Sequence, residues 1–236
     1  MPFAAVIYTL SSHHPYTLPK GFELPQEAYL WSGFEKTVYY ADCALRDFFE
    51  EAATKPWYDS TLFVITADHA NTEHYLPEYS NIWGMYSIPI AFYMPSHVEP
   101  IHSKELAQQT DLNLSILSAL GINDTVFSFG RNLFDTLTHP SFIAYINQTY
   151  QFSDGRYLVQ SDGDNTIGVF NIHHDRQLND NLIDRIQCED LAKIMKKMIQ
   201  EYNNRFIYNH LFVDKEAYHE QAKNKLHLKP RRWEIR

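Results

Sequence analysis

Residues 61–69 read Thr61-Leu62-Phe63-Val64-Ile65-Thr66-Ala67-Asp68-His69. The first six are almost continuously apolar and lie between the Asp59-Ser60 turn and a polar pair, the pattern of a strand covered on both faces. Such strands typify parallel sheets flanked by helices. In open α/β sheets ligands collect beyond the carboxyl ends of the strands, where Asp68 and His69 fall. Neighbouring side chains of a regular strand point to opposite faces, so these two can meet one ligand only where the backbone leaves the strand. A carboxylate beside an imidazole is a mixed oxygen and nitrogen donor set suited to a divalent cation. The same dipeptide also reads as a loop-capping aspartate next to an exposed histidine.

Upstream, Tyr39, Tyr40, Cys43, Ala44, Phe48, Phe49 and Ala52 trace one face of a helix over residues 35–54. Residues 4–10 (AAVIYTL) read as a buried strand that breaks into Ser11-Ser12-His13-His14-Pro15, a second strand end carrying histidine. Downstream, residues 87–94 (SIPIAFYM) predict a strand, with Pro89 restricting it to an edge or a strand start. A helix is expected from Asp111 as N-cap, with Leu112, Ile116, Leu117 and Leu120 inward and Gly121 just past its end.

This order of elements suggests βαβ units. Beyond residue 141 the texture changes. Residues 144–152 and 156–160 flank the Ser153-Asp154-Gly155 turn, residues 161–165 form a second turn, and residues 166–172 a third strand, an antiparallel meander. A last helix over 189–211 lines up Leu191, Ile194, Met195, Met198, Tyr202 and Phe206. The expected organisation is α/β over residues 1–140, with the meander and final helix of residues 141–236 packed on the same domain.

The 236 residues are 44% hydrophobic and 21% charged, with 8 Gly and 11 Pro, which excludes disordered, collagenous and coiled-coil chains. Twenty Lys and Arg against 29 Asp and Glu give a net charge of −9, a poor match to nucleic acid. The basic cluster Lys229, Arg231, Arg232 and Arg236 reads as a solvated tail. Cys43 and Cys188 fit neither a CxxC motif nor a disulfide framework and are expected to be buried free thiols. No run approaches 18 apolar residues, and residues 1–14 lack the basic start and long apolar centre of a signal peptide.

Several ordered segments together carry a family resemblance. Residues 8–16 (YTLSSHHPY), 38–45 (VYYADCAL) and 57–69 (WYDSTLFVITADH) resemble the C-terminal half of the catalytic domain in the lipoteichoic acid synthase-like branch of the sulfatase and alkaline phosphatase superfamily. The order continues through Ile88-Pro89, Gln109-Thr110-Asp111 with Leu117, and residues 129–134 (FGRNLF). The match covers residues 1–136, with the remainder resembling the tail of such proteins.

The resemblance implies an α/β fold around a mostly parallel sheet and an enzyme that transfers or hydrolyses phosphate or sulfate esters, phosphoglycerol groups among them. By it, Asp68 and His69 are metal ligands and His13 is the substrate-side catalytic histidine; the neighbouring His14 stays an alternative. One divalent metal is implied, manganese by preference, with magnesium and calcium left open. The substrate is an ester, lipid-linked or not, and the full-length protein would act on the extracytoplasmic face of the membrane or in the periplasm.

Ala70-Asn71 replaces the glycine that commonly follows Asp-His in the family. Glu73 and His74 read as an exposed loop pair, Asp42 as structural, and Trp83 and Tyr86 as packing. In the family the nucleophile, a further acidic ligand and the membrane helices lie upstream of the segment that here begins at Met1. The expectation is therefore a C-terminal half that needs the upstream half to complete its site and is inactive alone. Two alternatives are a sulfatase proper and a non-catalytic remnant that serves as a binding or interaction module.

Overall fold

A computed structural model describes residues 2–71, 73, 76–97 and 102–213. The chain divides into two compact units, Met1–Phe63 with Phe92–Glu99, and Val64–Ala91 with Pro100–Arg236.

The first unit is organised by helix α1, Gly33–Ala52. It starts two residues earlier than its apolar pattern because Ser32 and Glu35 form a capping box: the Ser32 hydroxyl accepts from the Glu35 amide at 3.1 Å, and the Glu35 carboxylate accepts from the Ser32 amide at 2.7 Å. The predicted aromatic face packs edge-on or tilted against its neighbours. Phe22 meets Tyr40 at 4.9 Å, Trp31 meets Tyr39 at 5.3 Å, and Phe49 lies 5.0 Å from Phe63 and 5.5 Å from Tyr93. Residues 4–10 correct the sequence expectation. They form no strand, and Val6, Ile7, Tyr8 and Leu10 are each at least three-quarters exposed or nearly so. An apolar β-branched run becomes a strand only when another strand accepts its backbone hydrogen bonds.

Strands β1 (Phe63–Thr66) and β2 (Ile90–Tyr93) pair as a two-stranded sheet. Both lie inside their predicted ranges, and β2 begins one residue after Pro89, as a proline without an N–H requires.

The second unit carries helix α2 (Asp111–Ala119), strands β3 (Phe142–Ile146), β4 (Thr149–Ser153), β5 (Tyr157–Ser161) and β6 (Thr166–Asn171), and helix α3 (Glu189–Ile207). The four strands form an antiparallel meander in sequence order. The expected long first strand is two strands: Asn147 and Gln148, at φ 50° and 62°, make a two-residue turn that carries no glycine to announce it. Alternation gives the sheet two apolar faces. Phe152 and Val159 pack with Met195, Leu191 and Met198 of α3, while Leu158, Phe170 and Ile172 pack with Trp83, Leu106 and Leu178.

Two helix expectations are corrected. Thr110, not Asp111, is the N-cap of α2, and the fully buried residues of that helix are polar, Asp111 and Ser115, whereas Leu120 is half exposed. Gly121 follows the helix at φ 67°, as predicted. On α3 Leu191, Met195 and Met198 of the predicted stripe are inward, but Ile194, Tyr202 and Phe206 are exposed. Both cysteines are free and half-buried. Among the described residues no helix is long and apolar enough to cross a membrane. The basic cluster at residues 229–236 lies outside the described residues.

Candidate metal and ester site

Strand β1 ends at Thr66, whose hydroxyl donates to the Pro89 carbonyl at 2.9 Å. The next two carbonyls, of Ala67 and Asp68, both accept from the Gln109 side-chain amide, at 2.9 and 2.8 Å. One amide thus fixes the point where the chain leaves the strand, the condition under which consecutive side chains can turn the same way.

They do so. Asp68 Oδ1 accepts from the His69 amide at 2.9 Å, and Asp68 Oδ2 lies 3.7 Å from His69 Nε2. His69 Nδ1 lies 2.8 Å from the Ala70 carbonyl. A carbonyl only accepts, so Nδ1 carries the proton and the Nε2 of the neutral ring presents its lone pair on the carboxylate side. A ring oriented by a backbone carbonyl is the usual support of a metal-bound imidazole. Two donors bound to one ion at about 2.1 Å each are at most about 4.2 Å apart, so 3.7 Å falls within reach of a shared divalent ion. The side chains are 62% and 73% exposed, which makes a bare Asp68–His69 ion pair worth little in water and leaves both lone pairs open to a ligand. Among the described residues no three or more His, Cys, Asp and Glu side chains converge. Glu73 sits beyond an Asn71 turn, its amide donating to Asn71 Oδ1 at 2.8 Å, and His74 lies outside the described residues.

The support beneath Gln109 escaped residue-level reasoning, although its segments carry the resemblance. The buried Asp111 carboxylate accepts from the amides of Gln108 and Arg131 at 2.9 and 2.8 Å. The Ser115 hydroxyl donates to the Asp111 carbonyl at 2.7 Å and accepts from the Leu133 amide at 2.9 Å. Gln108 Oε1 accepts from the Ile143 amide of β3 at 3.2 Å. Gly130 approaches so closely that a Cβ there would lie 2.1 Å from the Thr110 carbonyl oxygen. The available signal was a polar, glycine-containing pair of segments, residues 108–111 and 128–133, flanking an apolar helix.

His13 belongs to the first unit, Asp68 and His69 to the second. His13 sits in a turn closed by its own amide to the Leu10 carbonyl at 3.1 Å and by the Tyr16 amide to its carbonyl at 3.0 Å. Its Nδ1 faces the His14 carbonyl at 2.8 Å, so Nε2 again carries the lone pair of the neutral ring. It lines an open depression of about 360 Å³ with Leu10, Ser11, His14, Pro15 and Thr17. The His14 ring instead packs edge-on against Tyr16 at 5.6 Å. Trp83 packs on Phe142 at 5.5 Å, Tyr86 is half exposed, and Asp42 is exposed on α1.

This α/β scaffold has a solved counterpart in the alkaline phosphatase superfamily. A Vibrio parahaemolyticus protein of that superfamily superposes with a TM-score of 0.69 at 20% identity, over 86% of this chain and 49% of its own. A sulfatase candidate from Bacteroides thetaiotaomicron gives 0.52 at 17% identity, over 73% of this chain and 42% of its own. The chain therefore has the alkaline phosphatase-like α/β fold and spans about half the length of these solved structures. The sulfatase family profile matches residues 1–122, which contain His13, Asp68, His69 and Gln109, and the chain belongs to the sulfatase family.

Proposed function

We propose that this protein takes part in metal-dependent transfer or hydrolysis of phosphate or sulfate esters, in the manner of the phosphoglycerol transferases of the lipoteichoic acid synthase-like branch. The observation that carries this is the Asp68–His69 pair, turned to one side at the end of β1 and held there by Gln109. Membership of the sulfatase family supports it.

Asp68 Oδ2 and His69 Nε2 would hold the ion, with manganese preferred and magnesium or calcium as alternatives. A divalent ion supplies charge neutralisation at the ester oxygens and lowers the pKa of an attacking hydroxyl. His13, with Nε2 free to accept and release a proton, is the residue to serve the leaving alkoxide. The attacking group, the remaining ligands and the rest of the mostly parallel sheet would come from outside the described residues. The meander and α3 would pack on the same domain. The ester, lipid-linked or free, would be met outside the cytoplasm, and nucleic acid is not a substrate.

Manganese titration followed by electron paramagnetic resonance tests the ligand assignment. The chain should bind the ion, and Asp68→Ala and His69→Ala should each weaken binding by tenfold or more at unchanged melting temperature. His13→Ala should leave it unchanged. Wild-type affinity in both ligand variants would remove the metal site. The converging donors number only two among the described residues, and this favours a second reading, a non-catalytic binding module; it requires that no ion binds at all.

A further inference from the structure

Residues 106–110 carry no α-helix or strand of their own, yet their side chains reach three other parts of the fold. Leu106 packs with Leu158, Phe170 and Ile172 on one apolar face of the meander. Gln108 Oε1 accepts from the Ile143 amide at 3.2 Å, on β3, the edge strand of the meander. Gln109 Nε2 donates to the Ala67 and Asp68 carbonyls beyond the end of β1. Consecutive glutamines thus hold two different sheets. The backbone between them is fixed from within: the Asp111 amide donates to the Gln108 carbonyl at 2.9 Å, and the buried Asp111 carboxylate accepts back from the Gln108 amide. Arg131 Nη2 donates to the Leu106 carbonyl at 2.8 Å and pins the start of the segment. All of these residues lie in the second unit.

We infer that the antiparallel meander is the platform that positions the metal ligands, with Gln108 as the positioning residue that joins its edge, through Gln109, to the end of β1. This role deepens the reading of Asp68 and His69 as ligands and rests on it. Its direction follows from relative rigidity. Strands β1 and β2 have four residues each and form a sheet of two, which is marginal by itself. The meander has four strands, with Phe152, Leu158 and Val159 buried and Leu191, Met195 and Met198 of α3 packed on one face. The better-packed sheet sets the position of the weaker one. A hydrogen bond that merely covers an edge amide would leave the ligands indifferent to its loss. Gln108 instead shares its backbone with the residue that holds the Asp68 carbonyl, and a binding constellation tolerates displacements of only about 0.5 Å. The coupling is reciprocal: if the Gln108–Ile143 bond raises affinity for the ion, the bound ion holds that bond closed by the same factor.

Two measurements on the full chain test this role, both with manganese as the probe. The first follows manganese affinity by electron paramagnetic resonance. Gln108→Met keeps the length of the side chain but removes its acceptor and should weaken binding about fivefold at a nearly constant melting temperature, whereas Gln108→Glu keeps an acceptor toward Ile143 and should stay within about twofold of the wild type. The second reads hydrogen exchange of the Ile143 amide in the unmutated chain by residue-resolved mass spectrometry, and so depends on no variant. Saturating manganese should slow that exchange about fivefold, the same factor as the loss in Gln108→Met. The slowing should vanish in Gln109→Ala, which cuts the connection and leaves the Gln108–Ile143 bond in place. Wild-type affinity in a folded Gln108→Met, or exchange at Ile143 that is indifferent to bound manganese, overturns the platform role while the ligand assignment stands. Failure of the unmutated chain to bind manganese overturns both.

Discussion

Gln109 spends one amide group on two consecutive carbonyls, and this makes it the residue through which the strand end is positioned. Its side chain is exposed, so its loss removes orientation without opening a cavity. Gln109→Ala should lower manganese affinity by about tenfold, the usual range for a support one step removed from a ligand, while the melting temperature stays nearly constant. A large loss of stability would assign Gln109 to the core instead. Gly130 is the opposite case. Alanine there would place Cβ against the backbone at Thr110 and Asp111, groups that cannot rotate away. Gly130→Ala should cost about 3 kcal/mol or more in urea unfolding, and Asp111→Ala, which orphans two amides, about 2–4 kcal/mol. Burial and the neighbouring Glu189 push the Cys188 thiol up, which keeps it protonated at neutral pH and slow to alkylate.

At the scale of elements, what was legible depended on whether the signal was local. The β1 and β2 runs, the α1 face and the Asp-Gly turn at 154–155 follow from side-chain period and turn chemistry, which a short window contains. The Asn147-Gln148 turn hid because its left-handed backbone is paid for without glycine. Gln148→Gly removes a strained side chain at φ 62° and should raise stability by about 0.5–1 kcal/mol, read as a higher denaturation midpoint at constant slope. Residues 4–10 misled for a different reason: their period is that of a strand, but a strand is a relation between segments. The α2 expectation failed because a buried carboxylate that accepts amides from residues 108 and 131 looks, in sequence, like an ordinary cap. The same division runs through the site. That Asp68 and His69 stand side by side at a strand end is local to one stretch of sequence, whereas the hold of Gln109 on that end is not, since its partners lie about 40 residues away.

For the whole molecule, the decisive quantity is how many catalytic groups the chain brings together. Sulfatase-family membership sets the kind of chemistry, but the likeness to solved structures at 17–20% identity carries the fold alone, and those structures are about twice as long as the part matched. The described residues bring together two candidate ligands, and the hydroxyl nearest to them in sequence, that of Thr66, is already donated to Pro89. Covalent ester transfer needs an activated nucleophile beside the metal, and ligands without one can bind an ester but not divide its reaction into two easier steps. Residues 1–236 with saturating manganese should therefore hydrolyse bis(p-nitrophenyl) phosphate no faster than about threefold above the Asp68→Ala variant, since removal of a nucleophile alone abolishes most of such catalysis. Wild-type turnover far above that variant, lost again on chelation of manganese, would mean that these residues contain the attacking group. The proposal that it comes from elsewhere would then fall, while the ligand roles of Asp68 and His69 would stand.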